Sequence, residues 1–132
     1  MIEKIEVSTK QRVQMVDITS EIQRVISKTE IKEGMACVFC PHTTAAVTIN
    51  ENCDPSVQTD INHTLSALIP HNSRYSHTEG NADAHIKSAL MGSSRAVFIQ
   101  GGKVVLGTWQ GIFFCEFDGP RTREIWVRIT KE

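Results

Sequence analysis

The stretch Ile112-Phe113-Phe114-Cys115-Glu116-Phe117-Asp118-Gly119-Pro120-Arg121-Thr122-Arg123-Glu124-Ile125-Trp126-Val127-Arg128-Ile129-Thr130 sets the fold class. Its opening is apolar on both parities, as in a strand buried on two faces. Its close alternates, with Ile125, Val127 and Ile129 on one face and Trp126 on the other, and Asp118-Gly119-Pro120 between the two has the composition of a tight turn. The reading is a strand from Thr108 to Phe117, a turn, and a last strand from Thr122 to Thr130. Upstream, Ala96 to Gln100 and Lys103 to Leu106 flank Gly101-Gly102, a pair that tolerates the positive φ of a two-residue hairpin.

Before Ser94 the period changes to that of helices. Asn81 or Asp83 caps a short one with Ala82, Ile86, Ala89 and Leu90 on one face and Gly92 as its stop. Asp54-Pro55 opens another, because the carboxylate accepts from free backbone N–H groups while proline loses nothing at the first helical position. Val57, Ile61, Leu65 and Leu68 make its stripe, and Pro70 ends it. Ile22, Val25 and Ile26 mark a helix at 19–28, with Asp17 or Thr19 as cap. Met35 to Cys40 and Ala45 to Asn50 read as strands, while Ile5 and Val7, then Val13 and Met15, read as a hairpin around Thr9 to Arg12. Strands at both ends and helices in the middle predict a single α+β domain over 1–132, with largely antiparallel sheet layers and about three helices. The doubly apolar strand and the outward Trp126 offer more apolar surface than one thin domain needs, which predicts that one or the other packs against a further subunit.

Composition narrows the function. The 132 residues are 22% charged and 40% hydrophobic with a net charge of -1, which suits one globular domain. A near-zero balance with no basic tail argues against a partner gripped through many phosphates, so nucleic acid is not expected. No apolar run reaches membrane-span length, and Glu3, Lys4 and Glu6 do not suit a secretory leader, so neither membrane nor export is expected. Cys37, Cys40, Cys53 and Cys115, mostly within apolar runs, suit reduced thiols. The expected location is the cytoplasm.

All five histidines fall between His42 and His85. His77 to His85 crosses a polar loop into a helix start with Glu79 and Asp83 between the imidazoles, a residue set that suits a divalent metal, hydrogen-bonded structural roles or general acid–base work. His63 lies off its helix's apolar stripe and reads as solvated. Pro41-His42-Thr43-Thr44 puts an imidazole and two hydroxyls at a strand end, where they can bind phosphate or position a proton, or merely satisfy a turn. Strand phase would set His42 and Thr44 on one face with Asn50. Asn50-Glu51-Asn52-Cys53-Asp54 has more polar residues than a helix cap requires, and Asn50 and Glu51 are its functional candidates. Cys37 and Cys40 have the spacing of half a zinc knuckle, but no second pair exists and strand geometry sends the thiols to opposite faces. Arg121 and Arg123 share the inward parity of the last strand, where two guanidinium groups suit a phosphate or an ion pair with Glu116 or Glu124. Trp109 can stack on an aromatic ring or belong to the core.

Read together, Pro41-His42-Thr43-Thr44-Ala45-Ala46, Ile49-Asn50-Glu51, Tyr75-Ser76-His77, Asn81-Ala82-Asp83-Ala84-His85, Leu106-Gly107-Thr108-Trp109-Gln110 and Asp118-Gly119-Pro120-Arg121-Thr122-Arg123 closely resemble, in order and wording, the YjbQ-type family of secondary thiamine-phosphate synthases. The resemblance runs from about Met1 to Arg128. It implies a compact α+β domain assembled as a homotrimer, with shared polar residues gathered in a cleft near the subunit boundary. It implies joining of a hydroxymethylpyrimidine diphosphate to a thiazole phosphate with release of pyrophosphate. His42, His77, His85 and Glu51 would then be catalytic, and Thr43, Thr44, Asn50, Asn81, Gln110 and Arg121 would bind substrate. The resemblance also raises a divalent ion, zinc or magnesium, on His42, His77 and His85. His71 and Asn72 depart from the pattern and take no role from it. A metal-dependent hydrolase and a non-catalytic binder of a small phosphorylated metabolite are the competing readings.

Overall fold

Every strand pair is antiparallel, and the strands divide into two sheets. The computed structural model describes residues 1–132 and contains β1 (Ile2–Ser8), β2 (Gln14–Asp17), α1 (Thr19–Thr29), β3 (Glu33–Phe39), β4 (Ala45–Glu51), α2 (Pro55–Leu68), α3 (Ala82–Met91), β5 (Ser94–Gln100), β6 (Lys103–Val105), β7 (Gln110–Glu116) and β8 (Thr122–Lys131). Sheet A has the order β1-β8-β3-β5-β6, and sheet B the order β2-β7-β4. The α+β class, the antiparallel layers and the three helices agree with the sequence reading.

The main core lies between the sheets. Val38, Val97, Ile125 and Val127 from sheet A meet Val47, Ile112 and Phe114 from sheet B, and α1 completes the layer with Ile22, Val25 and Ile26. A smaller cluster beneath sheet B joins Ala46, Cys115 and Phe117 to Leu65 of α2 and Ala84 of α3. β7 is therefore buried on both faces within one chain, and its apolar residues form no subunit interface. That corrects one of the two expectations for the doubly apolar strand. The Trp126 face differs: the outer side of sheet A carries Met35, Phe39, Phe98 and Val105 in the open, Phe98 being 65% exposed.

Local chemistry places several elements. Asp54 Oδ1 accepts the Ser56 N–H at 2.9 Å at the start of α2, whose first residue is Pro55. Gly101 and Gly102, at φ 59° and 76°, make the β5–β6 turn. Gly34 leaves room for the Thr130 carbonyl, which would lie 2.1 Å from any Cβ there. The segments at Ile5–Val7 and Val13–Met15 are strands but not a hairpin, since β1 pairs with β8 and β2 with β7. Ile5 and Val7 pack on the main core, and Val13 and Met15 on the smaller cluster.

The largest departure is α3. Of its predicted stripe only Ala82 is buried, Ile86, Ala89 and Leu90 being exposed, and the buried face also holds Asp83, Ala84, Lys87 and Ser88. Charge pairing decides the rotation. Arg12 donates to both Asp83 oxygens at 3.0 and 3.3 Å, and Lys87 Nζ lies 3.6 Å from Asp83 and 3.4 Å from Ser66 Oγ. Burial alone would raise the Asp83 carboxyl, but the Arg12 hydrogen bonds and the neighbouring positive charges hold it below its ordinary range. Burial lowers Lys87 in spite of Asp83. Removing one member of such a pair strands its partner in the interior unless that partner keeps a second counter-charge, as Asp83 does in Arg12. Asp83→Ala is therefore expected to cost about 3–5 kcal/mol, and Lys87→Met, which leaves Asp83 on Arg12, to change stability by less than about 1 kcal/mol, both read from urea unfolding midpoints.

Candidate functional site

The β7–β8 turn and the start of α3 meet at one end of sheet B. Glu116, the last residue of β7, is fully buried. It accepts from Thr9 Oγ1 at 2.8 Å, Arg123 Nε at 2.9 Å, a second Arg123 nitrogen, and the Asp118 N–H at 3.1 Å. Arg123 continues to Thr44, reaching its hydroxyl at 2.8 Å and its carbonyl at 3.3 Å. These partners outweigh desolvation and keep the Glu116 carboxyl below its ordinary range. Arg123 is thus an interior ion-pair partner, which corrects the expectation of two aligned guanidinium groups facing a phosphate. The inward parity holds for Arg123, while Arg121 precedes β8 and escapes it.

Arg121 is available. Its Nε donates to the Asp118 carbonyl at 2.9 Å and one terminal nitrogen to Asp118 Oδ2 at 3.1 Å, while the side chain remains 49% exposed. The rest of its donor fork is uncommitted. Asn81 Nδ2 donates to the same Asp118 oxygen at 2.9 Å, and the Asn81 amide oxygen is buried without a partner. Asn81 precedes α3, and His85 lies one turn along it. The His85 ring meets His77 edge-on at 5.1 Å between centroids, and His77 Nε2 lies 3.4 Å from Glu79. The two imidazoles line a depression of about 330 Å³ together with Tyr75, Ser76, Ala82 and Ile86. Asn81 and Arg121 thus meet on Asp118, His77 and His85 meet each other, and the two groups are linked along the chain by the His85 N–H donating to the Asn81 carbonyl at 3.3 Å.

His42 stands apart from that pair. Its Nε2 lies between the Glu124 backbone nitrogen at 3.0 Å and the Glu124 carbonyl oxygen at 3.1 Å, and its ring lies edge-on to Phe114 at 6.3 Å. Burial, followed by the Arg123 charge, lowers its affinity for a proton. No three His, Cys, Asp or Glu side chains of the chain converge to hold a metal. The set His42, His77 and His85 is accordingly not assembled within one chain, because the β8 backbone holds the first while the loop before α3 carries the second. Thr43 is exposed and Thr44 buried against Arg123.

The remaining candidates lie at the opposite end of sheet B. Glu51 pairs in register with Gln110, and Asn50 with Gly111. Glu51 accepts the Asp54 N–H at 3.2 Å, Gln110 accepts the Gly107 N–H at 2.8 Å, and Trp109 beside them is 60% exposed. From Thr44 to Asn50 the extended chain travels roughly 20 Å. Shared phase therefore does not join the two polar clusters as expected. Thiolate chemistry is disfavoured at the two buried cysteines, since burial pushes Cys115 up to about 12 and raises Cys40.

A family model described as UPF0047 protein YjbQ-like matches residues 3–132. The chain belongs to the YjbQ-like UPF0047 family. This YjbQ-like chain is 55% identical over 129 residues to a UPF0047 protein of Methanocaldococcus jannaschii, covering 98% of the chain and 94% of the relative. It is 44% identical over 130 residues to the UPF0047 protein YugU of Bacillus subtilis, covering 98% of each. The crystal structure of a YjbQ/UPF0047-family protein from Clostridium acetobutylicum matches with a TM-score of 0.95 at 48% identity, over 97% of this chain and 99% of that one. A YbjQ-like protein from Sulfolobus solfataricus matches with a TM-score of 0.95 at 35% identity, over 100% and 97%. Family and fold thus agree along the whole YjbQ-like chain. No helix in it is long and apolar enough to cross a membrane.

Sequence reasoning had not singled out Arg12 or Lys87, and it read Asp83 as a cap or a carboxylate between the imidazoles rather than as a buried ion-pair partner. Asp118 stood in the open within its turn motif, and the position of Arg121 three residues on was the signal for their pairing.

Proposed function

We propose that the protein is a secondary thiamine-phosphate synthase, joining a hydroxymethylpyrimidine diphosphate to a thiazole phosphate with release of pyrophosphate. The observation that carries this reading is the half-free Arg121 fork, braced by an Asp118 that also accepts from Asn81, the residue at the start of the helix that bears His85. In the reaction the thiazole nitrogen attacks the pyrimidine methylene, the carbon–oxygen bond breaks, and pyrophosphate leaves with the electron pair. Arg121 meets the growing charge on the leaving group, and His77 and His85 donate hydrogen bonds or a proton to its oxygens. The N-terminus of α3 favours the same charge. Thr43 is free to add a hydroxyl, whereas Thr44 holds Arg123 in place. A divalent ion would have to complete its ligand set beyond these two imidazoles, from substrate oxygens or a neighbouring copy, and no step is assigned to it.

Asn50, Glu51 and Gln110 suit recognition of the heterocycles, yet roughly 20 Å of strand separates Asn50 from Thr44. A second copy presenting its far end to the histidine end of the first supplies both halves to one substrate, and head-to-tail contacts of this kind close into rings. The uncovered outer face of sheet A and the outward Ile86 and Leu90 favour such packing. The expected assembly is a homotrimer, and light scattering at micromolar concentration should give about three times the 14.7 kDa chain mass. A monodisperse monomer would remove the shared site.

Isothermal titration with pyrophosphate tests the anion half directly. One saturable site per chain is expected, and absence of binding to the folded protein would overturn the reading.

A further inference from the structure

Between α2 and α3 the chain makes an irregular excursion in which only Tyr75 and Asn81 are even partly buried after Ile69. Apolar contacts do not hold it. Two hydrogen bonds do: His71 Nε2 lies 2.8 Å from the Gly80 carbonyl oxygen, and the Tyr75 hydroxyl donates to the Pro70 carbonyl at 2.5 Å. A carbonyl only accepts, so the His71 proton sits on Nε2. That bond ties the entering foot of the loop to the leaving foot, one residue before Asn81. Gly80 is in the left-handed region, at φ 80°, where the chain turns into α3. His77 lies inside the closed segment, and its ring reaches His85 on α3.

We infer that His71 is a positioning residue: by donating Nε2–H to the Gly80 carbonyl it closes the 71–80 loop and sets His77 edge-on against His85. The inference rests on reading the His77–His85 pair as the working part of the site. Without the clasp, the segment regains the conformational freedom that loop closure removes. His77 then samples positions away from His85, while the core, to which His71 contributes nothing, remains intact.

The test uses ligand-free, full-length protein labelled at histidine, and reads the nuclear Overhauser cross-peak between the imidazole protons of His77 and His85. It is independent of turnover, so its failure is separable from failure of the synthase reading. Wild type should show the cross-peak, and His71→Ala should lose it or weaken it several-fold at an unchanged unfolding midpoint. His71→Gln, whose amide nitrogen reaches the same distance as Nε2, should restore it. His71→Asn, whose amide stops short, should behave as alanine does. A full cross-peak in folded His71→Ala or His71→Asn would overturn the inference, as would a folded His71→Gln protein that fails to restore it.

Discussion

Glu116→Ala is expected to destabilise the protein by about 3–5 kcal/mol, among the largest effects available to a single substitution here. The carboxylate is fully buried and answers Arg123, Thr9 and the Asp118 N–H at once. Its removal leaves the Arg123 guanidinium inside the fold with only Thr44, and an unpaired interior charge is what makes broken pairs costly. Replacing both members, as in Glu116→Met with Arg123→Met, should recover most of the loss, because no charge then remains to desolvate. The pH dependence has a definite sign. The folded carboxyl titrates below its ordinary value, so its contribution is fully present above the unfolded pKa of about 4.3 and is lost as pH falls through the folded value. Acid unfolding monitored by circular dichroism should show this slope in wild type and lack it in Glu116→Gln. Equal stability of wild type and Glu116→Ala would remove the network from the account.

The second large effect separates binding from chemistry. Arg121 is braced before the reaction begins, so Arg121→Ala should weaken pyrophosphate binding by about 1.5–3 kcal/mol, the scale of a charge-assisted contact. His85→Ala should leave that affinity nearly unchanged and reduce turnover by roughly 10²- to 10⁴-fold, as loss of a positioned proton donor does. Both variants should fold, since Arg121 is exposed and His85 lies outside the two apolar clusters. Calorimetry and pyrophosphate-release rates on the same preparations decide it. Unchanged affinity in Arg121→Ala would remove the anion role, and unchanged turnover in His85→Ala the catalytic one.

Periodicity carried the fold where burial follows apolarity. Ile125, Val127 and Ile129 on β8, the Asp54-Pro55 start of α2 and the Gly101-Gly102 turn were all legible because each is a local choice with one strong physical cause. Partners were not legible. Ile5–Val7 and Val13–Met15 gave two strands, but their assignment to different sheets depends on β8 and β7, more than ninety residues away. On α3 the apolar stripe pointed to the wrong face, because Arg12, Lys87 and Asp83 satisfy one another inside and their pairing cannot be seen in one helix's period. The site followed the same division. Asn81 and Arg121 were identified by type and motif and meet on Asp118, and His77 and His85 meet each other, whereas His42 is held by the Glu124 backbone and Asn50, Glu51 and Gln110 lie a strand's length from Thr44. Residue type told what each group can do, and only the register of β4 against β7 told which of them can act on the same molecule.

The central claim is most directly met by mixing the purified full-length protein with hydroxymethylpyrimidine diphosphate and thiazole phosphate and quantifying both products. The account predicts thiamine phosphate and pyrophosphate in equal amounts, dependent on the thiazole partner and strongly reduced in His85→Ala. Phosphate or pyrophosphate released equally well without the thiazole partner, or saturable binding with no product at all from a folded assembly, would contradict it.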